Sequence, residues 1–261
     1  MSEQPKYGFW PYVLPFLAFM VISMAEPGFP AEQDDVLADV VAGAAETADS
    51  SDEYVQRERR QRTQRFFLVY GFKVLVTTGF LVWFWKRYLG QFPWSFTWWS
   101  ILVGVIGIFV WVGLAELGVE DFLLGLVGAG DTFSRSQFNP YGQLPEGWQL
   151  TGFLALRFFG LVIMVPICEE LFLRGFLMRY AQSPEWWEVR LNQLTVRTML
   201  VAPLYGLLTH PGEALAAIAW FSLVTWLVTR TGKFWDAVIA HAVTNLLLGL
   251  YVCRFEQWHL W

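Results

Sequence analysis

Charge is scarce in this sequence. Of 261 residues only 16% are Asp, Glu, Lys or Arg, while 55% are hydrophobic and 18% aromatic. A soluble domain carries about 25% charged residues, so the deficit excludes an ordinary water-soluble fold and points to an integral membrane protein. Cysteine is nearly absent: Cys168 and Cys253 lie in apolar runs with no CxxC or Cys/His spacing. That excludes a disulfide framework and a thiolate zinc site, and leaves Cys168 best read as a small buried apolar residue. Histidine is limited to His210, His241 and His259, and HExxH, the helix-borne zinc signature, does not occur. No basic surplus suggests a nucleic-acid surface. Nine of the 23 acidic residues fall between Glu26 and Glu53, where there is no Lys or Arg, so the remainder has 14 acids against 18 bases.

What is present is a series of apolar runs. Residues 10–25, 66–85, 100–117, 151–180, 196–209, 214–229 and 234–252 read as spans. The expected fold is therefore all-α, a polytopic transmembrane bundle of about seven or eight helices. The first run ends in Ser23-Met24-Ala25, which could pass for a signal-peptidase site. Pro11 and Pro15 and the weak basic start favour a retained span. Residues 26–65 are polar, acidic at first and Arg-rich at the end, and read as a mobile extramembrane loop closing in a short charged helix. Phe92-Pro93-Trp94 and Trp98-Trp99 read as an aromatic belt. Residues 121–130 suit a surface segment, and 133–148, with Asn139-Pro140-Tyr141-Gly142, a turn-rich loop. Lys and Arg fall on both sides of the spans, so the positive-inside rule assigns no orientation.

The fourth run breaks the apolar pattern with Cys168-Glu169-Glu170-Leu171-Phe172-Leu173-Arg174. A carboxylate at membrane depth costs roughly 3 kcal/mol on insertion scales and persists there when paired or used. Glu170 and Arg174 are four apart and share a helix face. Glu169 points about 100° away and is available for other work. Pro166, one turn earlier, is expected to kink the helix and free backbone groups beside the carboxylates. His241 and Asn245 are also four apart, so one helix face presents both, suited to holding a water, an oxyanion or a metal. His210 ends the 196–209 run and with Glu169 offers an acid/base pair. Each feature alone has a plainer reading: a packing histidine, a structural ion pair, a chance HxxxN. Their coincidence on separate spans is harder to dismiss.

These residues resemble the CPBP intramembrane proteases, the family of the CAAX prenyl endopeptidases. Glu169-Glu170 through Arg174, followed by Gly175-Phe176-Leu177, matches that family's EExxxR motif, and His241 to Asn245 matches HxxxN. The FxxxH motif is met only in His210, because Gly206 stands where Phe is expected, with Tyr205 one residue earlier. The Tyr205-to-His210 form and the many tryptophans look like a bacterial CAAX prenyl protease-related branch associated with exosortase systems. The resemblance covers about residues 150–253, which divides the chain into N-terminal spans with their loop (1–149) and a catalytic core (150–261). It implies a multi-pass protein of a bacterial inner membrane that cuts a membrane-associated peptide or protein. It also implies roles: Glu169 as general base, His210 binding the water, His241 and Asn245 holding the oxyanion, and Glu170 and Arg174 in support. The family is usually called metallopeptidase, with zinc held by Glu169, His210 and His241, yet a metal-free glutamate mechanism fits the same residues. Two other readings remain: a non-catalytic immunity or chaperone-like protein on the same scaffold, and a small ion or proton carrier.

Overall fold

The computed structural model describes residues 8–28, 48–119, 122, 125 and 138–260. Among them every regular element is helical. Helix α1 is Trp10–Ser23, α2 Ala48–Gln91, α3 Trp98–Ala115, α4 the composite helix Trp148–Gln182, α5 Val196–Thr209, α6 Ala214–Thr231 and α7 Phe234–Phe255. Five of these stretches are long and apolar enough to cross a membrane: Arg57–Gln91 within α2, α3, α4, Pro211–Thr231 and α7. Helices α1 and α5 are apolar but shorter. Their 14 residues would rise only about 21 Å, less than the roughly 30 Å hydrocarbon core. The chain is thus a polytopic helix bundle with five full-length spans and two short ones among the described residues. Large apolar side chains such as Leu68, Leu75, Val82, Phe109 and Leu208 face outward, as a lipid-facing surface requires and a water-facing one does not tolerate at this extent.

One expectation changes form. The Arg-rich stretch is no separate short helix but the opening of α2 itself, which runs unbroken for 44 residues. Between Ala48 and Gly71 the sequence has neither Gly nor Pro and is rich in Glu, Gln and Arg, so nothing terminates the helix before the apolar span begins. Pro93 ends it. Residues 29–47 of the anticipated loop, and most of 121–137, lie outside the described residues. Asn139 caps the short helix Pro140–Gln143 by accepting from the N–H groups of Tyr141 and Gly142, as its Asn-Pro pair suggests.

Three contacts position the helices that carry the site. Asp236, fully buried in the first turn of α7, accepts hydrogen bonds from the backbone N–H and the hydroxyl of Thr97 at the start of α3. The Trp235 indole donates to Phe92 O at 2.9 Å. Gly104 and Gly107 then let α3 lie against α6 and α7: a Cβ on Gly104 would sit 2.6 Å from Val243 Cβ, and one on Gly107 2.8 Å from Trp220 Nε1. On the other side, Phe16 of α1 stacks on Phe172 of α4 at 4.2 Å, and Tyr88 of α2 donates its hydroxyl to Pro11 O. The connection after α4 is held by Arg179, which donates to Gly175 O, Trp187 O and Val189 O at 3.0, 2.9 and 2.8 Å.

The Gly104 contact can be tested directly. Gly104→Ala forces a methyl into Val243 and the Ala240 carbonyl, so it should destabilise the bundle by about 1–3 kcal/mol. A lowered thermal midpoint in detergent checks this, with Gly113→Ala, where a Cβ meets open space, as the silent control.

Candidate active site

Helix α4 is not a uniform α-helix. It widens to π geometry over Gly160–Met164 and again over Leu171–Leu177, with the α-helical segment Val165–Glu170 between. The first widening follows from Pro166. Val165 N–H bonds back to Gly160 O, five residues away. In that register the next donor would serve Leu161 O, but Pro166 has no N–H. The carbonyl is satisfied from another helix: Asn245 Nδ2 of α7 donates to it at 2.9 Å. The expected disturbance at Pro166 is therefore a π-bulge, and it ties the Asn of HxxxN to the helix that carries Glu169.

Glu170 is fully buried and has two partners on two different helices. Its Oε2 accepts from Arg174 Nη1, and its Oε1 lies 3.1 Å from His241 Nδ1. Since a carboxylate can only accept, Nδ1 carries the proton and the lone pair of neutral His241 resides on Nε2. Arg174, also fully buried, donates through Nη2 to Phe221 O at 3.1 Å and Thr225 Oγ1 at 3.3 Å on α6, and its guanidinium lies over the Phe221 ring. The EExxxR pair is thus more than an i,i+4 ion pair along one helix. It joins α4, α6 and α7.

His210 is fixed in a similar way. Thr209 gives its single hydroxyl proton to Tyr205 O at 2.9 Å, so it accepts from His210 Nδ1, 2.9 Å away, which places the lone pair of that ring on Nε2. Trp111 of α3 stands edge-on to His210 at 5.3 Å. Trp220 stands edge-on to His241 at 4.6 Å and donates its indole N–H to Thr244 Oγ1 at 3.1 Å. Thr244 in turn bonds to Gly104 O. Packing of α3 on α7 therefore reaches the histidine through Thr244 and Trp220.

Glu169, His210, His241 and Asn245 all line one cavity of about 300 Å³. Glu169 is buried, yet its carboxylate makes no hydrogen bond or close ion pair among the described residues. Glu170 and Arg174 do not line the cavity; they stand behind it. All six anticipated residues thus gather at one place, four at the cavity wall and two as their support. Among the described residues no three His, Cys, Asp or Glu side chains converge closely enough to hold a metal ion. The Glu169, His210 and His241 set does not form a metal-ligand cluster among the described residues.

The cavity also contains groups that sequence reasoning passed over. Lys73, in the middle of the α2 span, is 4% exposed and lines it together with Glu26, Tyr70 and Arg157. A lysine at the centre of a span costs about 2.5–3.5 kcal/mol on insertion scales, a signal readable in the run 66–85. Residues before 150 therefore supply part of the wall. Gly206, the departure from FxxxH, has a steric cause: a Cβ there would lie 2.6 Å from Phe221 Cδ2 and 3.2 Å from Ala217 O. Phe221 itself lies 5.9 Å from the His210 ring, so an aromatic neighbour reaches this histidine from α6.

A bundle of membrane-spanning helices with a buried Glu, two His and an Asn around one cavity has the groups that an intramembrane hydrolase would need. Comparison with protein families supports that class: residues 151–247 match the model of the type II CAAX prenyl endopeptidase Rce1-like family. The matched stretch contains the EExxxR and HxxxN motifs and His210, and the resemblance to CAAX-type intramembrane proteases stands on it. Comparisons with curated proteins and with solved structures gave no match.

Two substitutions probe the scaffold of the site. Glu170→Gln keeps an acceptor for His241 but leaves Arg174 buried without its counter-charge, so stability should fall by about 3–5 kcal/mol and peptide cleavage by about 10–100-fold. Thermal unfolding and turnover on the same preparation check both. Pro166→Ala supplies the N–H that Leu161 O lacks. It should release Asn245, lowering turnover while leaving thermal stability equal or higher, and an unchanged rate would show that the Asn245–Leu161 bond does not position the site.

Proposed function

We propose that the chain is an intramembrane endopeptidase that hydrolyses a peptide bond of a membrane-associated substrate with Glu169 as general base. The observation that carries this reading is the division of labour between the two carboxylates. Glu170 is consumed by Arg174 and His241, whereas Glu169 faces the cavity and has neither a hydrogen bond nor a close ion pair among the described residues. A water between Glu169 and the Nε2 side of His210 would lose a proton to Glu169 as its oxygen attacks the scissile carbonyl carbon. The carbonyl oxygen becomes the oxyanion, which His241 and the second amide hydrogen of Asn245 would stabilise. With Nδ1–H held by Glu170, the form of His241 that serves this role carries a second proton on Nε2. Collapse of the intermediate breaks the C–N bond, and the proton held by Glu169 passes to the leaving amine. The products are a carboxylic acid, which keeps the second hydrogen of the water until it ionises in solvent, and an amine, and Glu169 returns to its starting form.

The decisive experiment combines cleavage of a membrane-peptide library with metal content, on detergent-purified wild type beside Glu169→Ala and His241→Ala. Wild type should cleave without stoichiometric metal and resist chelation. Glu169→Ala should lose about 10²–10⁴-fold in rate, and His241→Ala or Asn245→Ala about 10²–10³-fold. About one zinc per chain, lost in His241→Ala, would replace the metal-free route with a metal-activated water. If no peptide is cut and the cellular phenotype survives Glu169→Ala, catalysis is refuted in favour of a non-catalytic membrane protein.

A further inference from the structure

Lys73 of α2 and Arg157 of α4 line the same cavity as Glu169, and both cations address one aromatic ring. Lys73 Nζ lies 4.8 Å and Arg157 Cζ 5.0 Å from the centroid of Tyr70. Tyr70 is itself fixed, its hydroxyl donating to Arg157 O at 3.4 Å and packing where Gly160 leaves room for it. Two cations beside a single ring, within a low-dielectric bundle, make this end of the cavity a place where a carboxylate is held strongly. The chain places its own carboxylate there. Glu26 lies against Lys73 Nζ at 2.5 Å, and Ser23 Oγ accepts from the same ammonium at 3.1 Å. Glu26 belongs to the short stretch after α1, and Arg62 of α2 donates to Gly28 O just beyond it. Glu26 also lines the cavity. A structural staple between α1 and α2 could have been placed on any face of the two helices. This one opens onto the space that holds Glu169, His210 and His241.

We propose that Lys73 and Arg157, backed by Tyr70, form a carboxylate-binding subsite of the active cavity that Glu26 fills in the absence of substrate. The subsite deepens the endopeptidase reading and rests on it for its purpose. The substrate then carries a carboxylate, at its C-terminus or on an acidic side chain, which displaces Glu26 and sets the scissile bond against Glu169. Lys73 is a specificity-determining residue, and Glu26 is a resident competitor.

The test measures binding apart from cleavage, using Glu169→Ala protein in phosphatidylcholine nanodiscs and fluorescent Ala/Leu decapeptides followed by anisotropy. One peptide ends in a free carboxylate, one in an amide, and two amidated versions carry an internal Glu or Gln. At least one carboxylate peptide should bind about tenfold tighter than its neutral counterpart, and whether it is the C-terminal or the Glu version identifies the source. Lys73→Met should abolish the difference and Lys73→Arg restore most of it. Glu26→Gln should tighten the carboxylate peptide alone. Equal affinity for charged and neutral versions, no binding of any version, or a preference that survives Lys73→Met overturns the subsite. So does loss of the preference when phosphatidylglycerol is added to the disc, which would assign the pair to a lipid phosphate. Cleavage by wild type separates the two readings. If charged and neutral peptides are cut with the same KM, the endopeptidase stands without the subsite. If carboxylate binding is selective but nothing is cut, the subsite stands and the catalytic reading fails.

Discussion

The buried carboxylate of Glu170 is the point on which the site depends. Fully removed from solvent, it could not stay ionised without compensation. Its compensation comes from two directions: a guanidinium one turn along its own helix and an imidazole on α7. Arg174 does not end with Glu170 but continues to the Phe221 carbonyl and Thr225 on α6. One carboxylate thus fixes three helices relative to one another and sets the tautomer of His241. Glu169, its neighbour in sequence, owes its freedom to this arrangement, because the nearest permanent cation is already engaged.

A second constraint acts at the backbone. Pro166 removes a donor from α4, the helix widens, and Leu161 is left with a carbonyl that Asn245 takes up. Replacing a helical bond by one from a neighbouring helix is costly in water but favoured in hydrocarbon, where no solvent can satisfy the carbonyl. The deformation is therefore stable only when α7 is docked with Asn245 in register. His241 lies one turn before Asn245, so the register that satisfies Leu161 also brings the imidazole to Glu170. Backbone and side-chain requirements agree on one placement of α7, and Gly104 and Gly107 let α3 hold it there.

Much of this was legible in the sequence. Acids inside an apolar run, the i,i+4 spacings of Glu170 with Arg174 and of His241 with Asn245, and the break at Pro166 all reflect helix geometry, which local sequence encodes. The bond between Glu170 and His241, 71 residues apart, has no local signature, since helix periodicity names a face but not what that face meets. Lys73 was different. Its cost is as visible in the run 66–85 as that of Glu169 in the fourth span, but it stood alone, without a second residue of a known pattern nearby. Its partner Glu26 sits at the edge of a strongly acidic stretch, where one more acid attracts no notice. The Arg-rich segment was helical as expected, and its continuity with the span was implicit in the absence of Gly and Pro before Gly71.

Gly206 shows how a motif can fail in sequence while its physical requirement is met. A phenylalanine one turn before His210 would add an aromatic ring beside the imidazole. Phe221 supplies one from α6, 5.9 Å from His210, and its Cδ2 occupies the space a Cβ on residue 206 would need. The two solutions exclude each other at this helix spacing: with Phe221 in place, only glycine lets α5 approach α6. Phe221 is also the residue whose carbonyl accepts from Arg174 and whose ring lies beneath that guanidinium. A single residue of α6 therefore contacts both the support of Glu170 and the surroundings of His210. The short α5, with fewer residues than a full span to anchor it, gains its position from this close approach to α6, and His210 at its end is placed with it.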